Sequence, residues 1–379
     1  MTYIKTALRF LTRGTPRSLL FYYGLLVAWL ATTAMHIPDG YLSPVTSVIM
    51  FAIVLPFWAI GVRKLREKVT ARNVPLVALI AAFSFIIMMF NVPIPGGTTA
   101  HAVGGALAAI ILGPEIATMA ISIALVIQAF FFGDGGILAL GANCFNMAVV
   151  LPYVSFAFYQ VVSKNQPAGS KRRILAAALG GWSGLTAAAF FAGFEFGIQP
   201  LLFHTANGTP LYAPYPLSIS IPAMLFAHAL IASPVEALVT ALVVAYLLRT
   251  NQSALEFVRK PEISPESSGF AKWRFLWVIL AVMIVLVPLG LLAPGTAWGE
   301  WGTRQLSGLG LAFVPQGLAK LSGLWSAPMS GYNLQALKNA NLAYLLSGIV
   351  GTIVIGMVVW LFTMLVTARK PEPRRSEPD

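Results

Sequence analysis

Long apolar segments without charges recur along the whole chain, and they limit the possible folds more than any other feature. Residues 75–92 and 342–368 are two of these segments. A helix needs about 20 such residues to cross roughly 30 Å of hydrocarbon. Only 10% of the 379 residues are charged, whereas about a quarter are charged in a typical soluble protein. The sequence therefore predicts an all-α polytopic membrane protein and excludes a soluble globule.

The basic residues occur in short clusters between the apolar segments, and this pattern predicts a topology. A topology with nine crossings after residue 35 places 22 of the 25 lysines and arginines on one side of the membrane. The exceptions are Arg304, Lys320 and Lys338. Loops rich in lysine and arginine tend to remain in the cytoplasm. We therefore predict a bacterial inner-membrane protein with residue 35 outside and the C-terminus in the cytoplasm. These loops also account for the net charge of +12, which does not indicate a nucleic-acid partner.

The predicted crossings divide into a seven-helix core and a C-terminal two-helix unit. The third crossing is short and rich in glycine and alanine, so we expect it to be tilted or re-entrant. In order, the nine segments are 46–62, 75–91, 101–113, 114–132, 138–162, 173–198, 220–248, 273–293 and 342–367. The predicted regions are the core at 35–250, a cytoplasmic linker at 251–271, the C-terminal unit with an external loop at 272–368, and a cytoplasmic tail at 369–379.

Residues 1–34 have the pattern of a signal peptide. Four basic residues precede an apolar stretch at 19–30, and small residues follow at 31–34. This order of basic, apolar and small residues is typical of a secretory signal. Cleavage after Ala34 would make Met35 the mature N-terminus. The alternatives are an uncleaved signal anchor and translation that begins at Met35.

A free N-terminus followed directly by histidine is a metal chelator in its own right. The α-amine of Met35, the amide nitrogen of His36 and Nδ1 of His36 can occupy three corners of a square plane. His101 is the candidate for the fourth corner, because it follows a Gly-rich loop that we place on the same side. A square plane of nitrogen ligands suits Ni²⁺, Cu²⁺ or low-spin Co²⁺ rather than Mg²⁺, Ca²⁺ or tetrahedral Zn²⁺. We therefore predict a transition-metal site at Met35, His36 and His101.

Several further polar residues are candidates for supporting these ligands or for gating access to them. His228 and Glu236 lie in one apolar helix, eight residues apart and so roughly on one face. Ionisable groups inside a membrane segment are costly and are often functional. The alternative is a buried pair that only locks helix packing. The complete set comprises Asp39, Thr98, Thr99, Asn143, Asn146, His228 and Glu236.

For other polar residues of the core we predict hydrogen-bonding, turn or electrostatic roles. Asn143 and Asn146 lie in an apolar helix, so we expect them to hydrogen-bond a neighbouring helix or the loop of the metal site. Asp134 lies within Gly-Asp-Gly-Gly, which is typical of a turn. Glu195 and His204 are candidates for attracting incoming cations electrostatically.

Four blocks of this sequence resemble the signatures of the CbiM/NikM family, the substrate-capture (S) components of energy-coupling-factor transporters for cobalt and nickel. They are MHIPDGYLSP from Met35, PGGTTAHAVGG from Pro95, FGDGG with the following GAN and NM from Phe132, and the helix that carries His228 and Glu236. The resemblance covers roughly residues 35–250. It implies a seven-helix S-component core in which the mature amine, His36 and His101 bind Co²⁺ or Ni²⁺ as the transported substrate.

The resemblance also implies partners and an auxiliary unit. The partners would be a transmembrane coupling (T) subunit of the CbiQ/NikQ type and ATPase (A) subunits of the CbiO/NikO type. This fits the lack of a G-x-x-x-x-G-K-[ST] phosphate loop in the chain. Residues from about 270 to 368 resemble a fused CbiN/NikN-type subunit. They lack the Pro-Asp-Gly-Leu-Glu motif of one nickel branch, which favours cobalt, and no tightly bound organic cofactor is expected.

Two other classes of function are compatible with parts of this pattern. A membrane sensor or receptor could bind the same ion without moving it. A membrane enzyme could use His228 and Glu236 as acid and base, and it would act without an ATPase partner. The combined motifs favour a transporter subunit that is not itself an enzyme.

Overall fold

The computed structural model describes residues 36–367 apart from 71–72, 95–97, 168, 251–254, 256–268, 294, 297–299 and 335. The predicted signal segment at 1–34 and Met35 lie outside the described residues. So do most of the predicted linker and the predicted tail.

The described chain is mostly helical, and a helix occupies each of the nine predicted crossings. Helices α4, α5 and α7 each contain a π-helical turn. In chain order the elements are α1 Pro44–Lys68, α2 Val74–Met88, β1 Val92–Ile94, β2 Thr98–Ala100, α3 Gly105–Leu112, α4 Pro114–Phe132, α5 Leu140–Val162, α6 Arg172–Leu202, α7 Leu217–Thr250, α8 Gly269–Leu286, α9 Gln316–Leu321 and α10 Ala340–Thr367.

Most of these helices are long enough to cross a membrane. Within the described residues, seven helices have the length and apolar composition of a membrane span. Their outer faces expose large apolar side chains, such as Val48 at 68% and Leu365 at 74%, which is expected of a surface that faces lipid. The fold is therefore that of a multi-pass, mostly helical membrane protein, as predicted.

The third predicted crossing is the exception. Helix α3 has 8 residues, all buried, and at 1.5 Å per residue it is about 12 Å long. By itself, a helix of that length is shorter than the roughly 30 Å hydrocarbon core. It lies inside the bundle instead, next to α4, α5 and α6.

The local sequence determines where α1 begins, a few residues after His36. Ser43 is the N-cap, and its Oγ accepts a hydrogen bond from the Thr46 amide at 3.0 Å. Pro44 is the first helical residue. Serine at the N-cap and proline at the first position are both favoured. The Ser43 amide donates to Gln199 Oε1 at 3.0 Å, so the start of α1 is joined to the end of α6.

Helices α5 and α6 approach each other closely through small residues. A Cβ on Gly180 would lie 2.7 Å from the carbonyl oxygen of Ser155, and a Cβ on Gly184 would lie 2.0 Å from Ser155 Oγ. Small residues four positions apart allow helices in membranes to pack at short distance. This contact joins two of the helices that enclose α3.

The C-terminal unit packs against the core at two levels. Within the bundle α10 packs on α2, and the Tyr344 hydroxyl donates to the Met89 carbonyl at 2.9 Å. Beyond the bundle, the segment 287–339 covers the end of α4, where the Met329 amide donates to the Phe131 carbonyl at 2.9 Å. We call this segment the C-terminal loop.

The C-terminal loop also covers the segment that carries His36. Gly40 has φ +92°, and a Cβ there would lie only 2.7 Å from the Cα of Leu318 in α9. The Tyr41 hydroxyl donates to the Trp301 carbonyl at 3.0 Å. The start of the core and the C-terminal loop are therefore in direct contact.

Candidate metal-binding site

The two histidines predicted as metal ligands lie side by side. His36 precedes α1 and His101 follows β2, and their ring centroids are 5.0 Å apart. Both are buried, with 1% and 5% of their surface exposed. The structure therefore brings together the two predicted histidine ligands. The Met35 amine, the other proposed ligand, lies outside the described residues.

The backbone at His36 is held by two polar side chains. Asn143 forms a paired hydrogen bond with Ile37: its Oδ1 accepts from the Ile37 amide at 2.8 Å, and its Nδ2 donates to the Ile37 carbonyl at 3.1 Å. The Asp39 carboxylate accepts from the backbone amides of residues 137–139, most closely from Leu138 at 2.8 Å. These contacts fix the segment around His36 against the start of α5.

The segment behind His101 is held by Glu236. This buried carboxylate of α7 accepts hydrogen bonds from the amides of Val103 at 2.8 Å, Gly104 at 2.8 Å and Ala106 at 3.0 Å. These amides lie at the N-terminus of α3, where a negative charge is favoured. Glu236 therefore positions the start of α3 and the loop that ends at His101.

His228 makes a separate contact from Glu236. Its Nδ1 lies 2.9 Å from the Met224 carbonyl, one turn earlier in α7, and it is close enough to His101 for its charge to affect the pKa of that ring. The hydrogen bonds shown for His228 and Glu236 thus go to different partners. Both residues are buried, and the choice between a functional and a packing role for them stays a prediction.

The hydrogen bond of His101 indicates which nitrogen can bind metal. Nδ1 lies 3.1 Å from the Ala102 carbonyl, and since a carbonyl only accepts, Nδ1 carries the proton. The lone pair is then on Nε2. Burial, together with the nearby His36, lowers the pKa of His101 to about 3. His101 is therefore a neutral imidazole, which is the form that binds metal.

Thr98 and Thr99 lie in the short antiparallel ribbon that leads to His101. Strand β2 pairs with β1, with Thr99 opposite Pro93, and both threonines are buried. Thr98 Oγ1 has no hydrogen-bond partner among the described residues. The ribbon fixes the approach of the chain to His101.

Asp134 has a larger role than the turn residue that the sequence predicts. It lies between two glycines with positive φ, as a turn requires. Its carboxylate, however, contacts Nδ1 of His36 and accepts a hydrogen bond from the Tyr332 hydroxyl. Gln128 Nε2 donates to the same carboxylate at 3.2 Å. The Gly-Asp-Gly-Gly pattern indicated the backbone conformation but gave no sign of these partners.

The contact with Asp134 affects which ring nitrogen of His36 is available to a metal ion. The predicted chelate uses Nδ1 of His36, but here Nδ1 faces Asp134 and the buried Nε2 has no hydrogen-bond partner among the described residues. Burial alone would lower the pKa of His36, but the charge and hydrogen bond of Asp134 raise it overall. A metal ion bound at Nδ1 must therefore displace Asp134 from this nitrogen.

A carboxylate of the C-terminal loop reaches the same place. His36, Asp134 and Glu300 each present one ligand atom, and these three atoms lie within 4.8 Å of one another. Glu300 was not among the site residues predicted from the sequence. Glu300 follows His36 by 264 residues in the chain, and no local sequence pattern connects the two.

Asn146 lies one turn beyond Asn143 and has a different partner. Its Nδ2 donates to Glu195 Oε2 of α6 at 2.8 Å. This is the contact with a neighbouring helix that the sequence predicts for one of the two asparagines. Glu195 is only 3% exposed, and an electrostatic role toward incoming cations stays a prediction.

Two protein-family models match this chain. A model of a protein family described as "Cobalt uptake substrate-specific transmembrane region" matches residues 36–254, and a model of the PDGLE domain matches residues 272–368. The second match occurs although the Pro-Asp-Gly-Leu-Glu string itself is absent. That absence therefore carries no argument for cobalt over nickel.

Two related proteins match most of this chain, and a solved structure matches 56% of it. The fused nickel transport protein NikMN of Rhodobacter capsulatus is 51% identical over 85% of this chain and 95% of its own length. The probable fused nickel transport protein LarMN of Lactiplantibacillus plantarum is 40% identical over 86% of this chain and 96% of its own. A crystal structure of a truncated transition-metal transporter is 52% identical over 56% of this chain and 98% of its own, with a TM-score of 0.54.

Proposed function

Because the chain belongs to the CbiM family of cobalt-uptake substrate-specific transmembrane proteins, we propose that it captures Ni²⁺ or Co²⁺ for an ATP-driven energy-coupling-factor importer. The observation that carries this proposal is the buried pair His36 and His101, with ring centroids 5.0 Å apart. Nickel is the favoured ion, because the two relatives described above, which match 85% and 86% of the chain, are named as nickel transport proteins.

The proposed capture site uses four nitrogen atoms. Three come from the mature N-terminus: the Met35 amine, the His36 amide and a ring nitrogen of His36. The fourth is Nε2 of His101, whose lone pair is free because Nδ1 faces the Ala102 carbonyl. Such a square-planar set suits Ni²⁺ and low-spin Co²⁺. It requires Met35 to be the N-terminal residue of the mature chain, since the first ligand is a free amine.

Transport requires energy from other proteins. We propose a CbiQ/NikQ-type coupling subunit and CbiO/NikO-type ATPase subunits as partners in the inner membrane. They would move the S component between a state open to the outside and a state open to the cytoplasm. The lack of a phosphate-binding loop in this chain supports such a division.

Removal of one histidine tests the capture site. We expect His101→Ala to weaken Ni²⁺ binding to the protein purified from membranes by more than the roughly 10–100-fold that loss of a supporting residue costs. His204→Ala is the matched control, because His204 is exposed and, within the described part of the chain, the hydrogen bond shown for its ring goes to the adjacent Thr205 carbonyl. Equal affinity of the two variants, measured by calorimetry, would contradict the proposed ligands.

Uptake of the ion distinguishes a transporter from a sensor. Cells that produce the chain with its coupling and ATPase partners should accumulate radioactive Ni²⁺, and an inactive ATPase should abolish this accumulation. Binding without accumulation in the complete system would favour the sensor.

A further inference from the structure

The C-terminal loop places a carboxylate in the metal site that the core alone does not contain. Glu300 lies beside Trp301, whose carbonyl accepts a hydrogen bond from the Tyr41 hydroxyl at 3.0 Å. This contact holds the loop against the segment that begins at His36. Glu300, Asp134 and His36 consequently present their ligand atoms within 4.8 Å of one another.

The position of Asp134 depends on the same loop. Tyr332 of the loop stacks on Phe132 with ring centroids 4.8 Å apart, and its hydroxyl donates to Asp134. Gln128 supports both partners, because its Nε2 donates to the Tyr332 hydroxyl at 3.0 Å and to Asp134 at 3.2 Å. The loop thus supplies one carboxylate and orients the other.

These two carboxylates differ from the third acidic residue of this region. Asp39 is 9% exposed, and its carboxylate accepts three backbone hydrogen bonds from residues 137–139. It is therefore occupied in holding the fold. Asp134 and Glu300 remain as the acidic groups with a ligand atom within 4.8 Å of a His36 ring nitrogen.

A second observation concerns the other nitrogen of the His36 ring. Nε2 of His36 is buried without a hydrogen-bond partner among the described residues, although only 1% of the residue is exposed. A buried polar atom without a partner is costly. Because Asp134 contacts Nδ1, Nε2 is the ring nitrogen that a bound cation would satisfy.

The donor chemistry differs from that of the four-nitrogen site. Carboxylate oxygens with one imidazole suit a divalent first-row cation that still carries water ligands, whereas a square plane of nitrogens requires that ion to lose most of its water. His36 belongs to both sets. An ion bound by the oxygens is therefore next to the nitrogens that would replace them.

We propose that Glu300, Asp134 and His36 form a loading site, which takes a hydrated Ni²⁺ or Co²⁺ before the ion passes to the nitrogen ligands. This proposal rests on the function proposed above. The loading site is incomplete without the C-terminal unit, because Glu300 belongs to that unit. It gives the fused unit a direct chemical role in metal capture.

The rate of metal loading tests the proposal. Wild-type protein and Glu300→Gln are purified from membranes as whole chains and mixed with Ni²⁺ in a stopped-flow instrument, and the absorbance of square-planar Ni²⁺ is followed. We expect Glu300→Gln to load more slowly by about ten-fold or more, the lower end of the effect of supporting residues, and to reach the same final spectrum. Loading at the wild-type rate would overturn the proposal.

Two controls separate coordination from other effects of charge. Glu115→Gln makes the same change in the first turn of α4, at the opposite end of that helix from Asp134, and should load at the wild-type rate. Each protein is measured at ~0.01 M and ~1 M salt, between which the Debye length falls from about 30 Å to about 3 Å. A slowing that vanishes at high salt, or that Glu115→Gln shares, would show mere electrostatic attraction and would overturn the loading site.

Further variants keep this result distinct from the proposed function. Glu300→Asp keeps a carboxylate, so it should load faster than Glu300→Gln; equal slowing of the two with lowered thermal stability would indicate a structural role and contradict the proposal. His101→Ala should lose the final spectrum altogether. If it does so while Glu300→Gln loads normally, only the loading site fails; if His101→Ala also binds normally, the proposed function fails.

Discussion

At the scale of single residues, His36 is the point at which several interactions compete. Its Nδ1 faces Asp134, its Nε2 has no hydrogen-bond partner among the described residues, and its ring lies beside His101. A protonated His36 is stabilised by Asp134, whereas a metal ion needs a nitrogen without a proton. Protons and metal ions therefore compete for the same ring, and Asp134 sets the balance between them.

This competition predicts a pH effect. Asp134 raises the pKa of His36, so the protonated ring persists to higher pH, and metal binding weakens as the pH falls through that pKa. In Asp134→Asn the negative charge is gone, so the pKa of His36 falls and the loss of binding should begin at lower pH. Equilibrium Ni²⁺ titrations at a series of pH values measure the midpoint. An unchanged midpoint would contradict the assigned pair, and Glu115→Gln should keep the wild-type midpoint.

Two asparagines one turn apart provide a matched pair of variants. Asn143 binds the amide and carbonyl of Ile37, next to His36, whereas Asn146 binds Glu195 in α6. We expect Asn143→Ala to weaken Ni²⁺ binding by roughly 10–100-fold, as loss of a supporting residue does at metal sites. Asn146→Ala should retain wild-type affinity. Calorimetric titration of both proteins with Ni²⁺ measures the two affinities. Equal affinities would contradict a supporting role of Asn143 in the site.

At the scale of secondary-structure elements, α3 is the unusual one. By itself it is shorter than the roughly 30 Å hydrocarbon core, it is entirely buried, and its first amides point at a carboxylate of α7. The sequence predicted a short third crossing from its glycines and alanines. It did not indicate that Glu236 would hold the N-terminus of α3, since the two lie far apart in the chain and a carboxylate in an apolar helix is compatible with many partners.

The Glu236 contact predicts a graded loss of stability. Glu236→Ala leaves three buried amides without their acceptor, and each unsatisfied group costs about 1–3 kcal/mol. Glu236→Gln keeps one oxygen acceptor and should lose less. Thermal unfolding in detergent should therefore rank wild type above Glu236→Gln and Glu236→Ala lowest. Equal midpoints for Glu236→Ala and wild type would show that α3 does not depend on this carboxylate.

At the scale of the whole molecule, the C-terminal unit is part of the site and not an appended module. Its helix α10 packs on α2, and its loop contacts the segment of His36 and the end of α4. The match of separate family models to residues 36–254 and 272–368 describes two sequence units. The contacts bring residues of both units together at the candidate site, where His36, Asp134 and Glu300 lie within reach of one another.

This docking predicts an effect of a single methyl group. Gly40→Ala would place a Cβ 2.7 Å from the Cα of Leu318, so the C-terminal loop must move away. Gly208→Ala is the control, because Gly208 also has a positive φ but nothing lies within 4 Å of its Cβ position. We expect Gly40→Ala, and not Gly208→Ala, to increase proteolysis of the C-terminal loop and to slow metal loading. The same response in both variants would indicate backbone strain alone.

The sequence alone determined the membrane fold, the positions of nine helical segments and the pairing of His36 with His101. Hydropathy over about 20 residues and the placement of basic loops are local properties that the bilayer imposes on any chain, so they can be read without a structure. The histidine pair followed from chemistry at a predicted free N-terminus and from the resemblance of short motifs.

Only the tertiary structure showed the contacts of Asp134, Glu236 and Glu300. Each is an acidic residue whose partner lies far away in the chain, and its role depends on which backbone or side-chain atoms the packing of helices brings within hydrogen-bond distance. A turn motif or an apolar helix looks the same in the sequence whether or not such a partner exists. Local patterns thus determined the bundle, and its packing determined which carboxylates meet at His36.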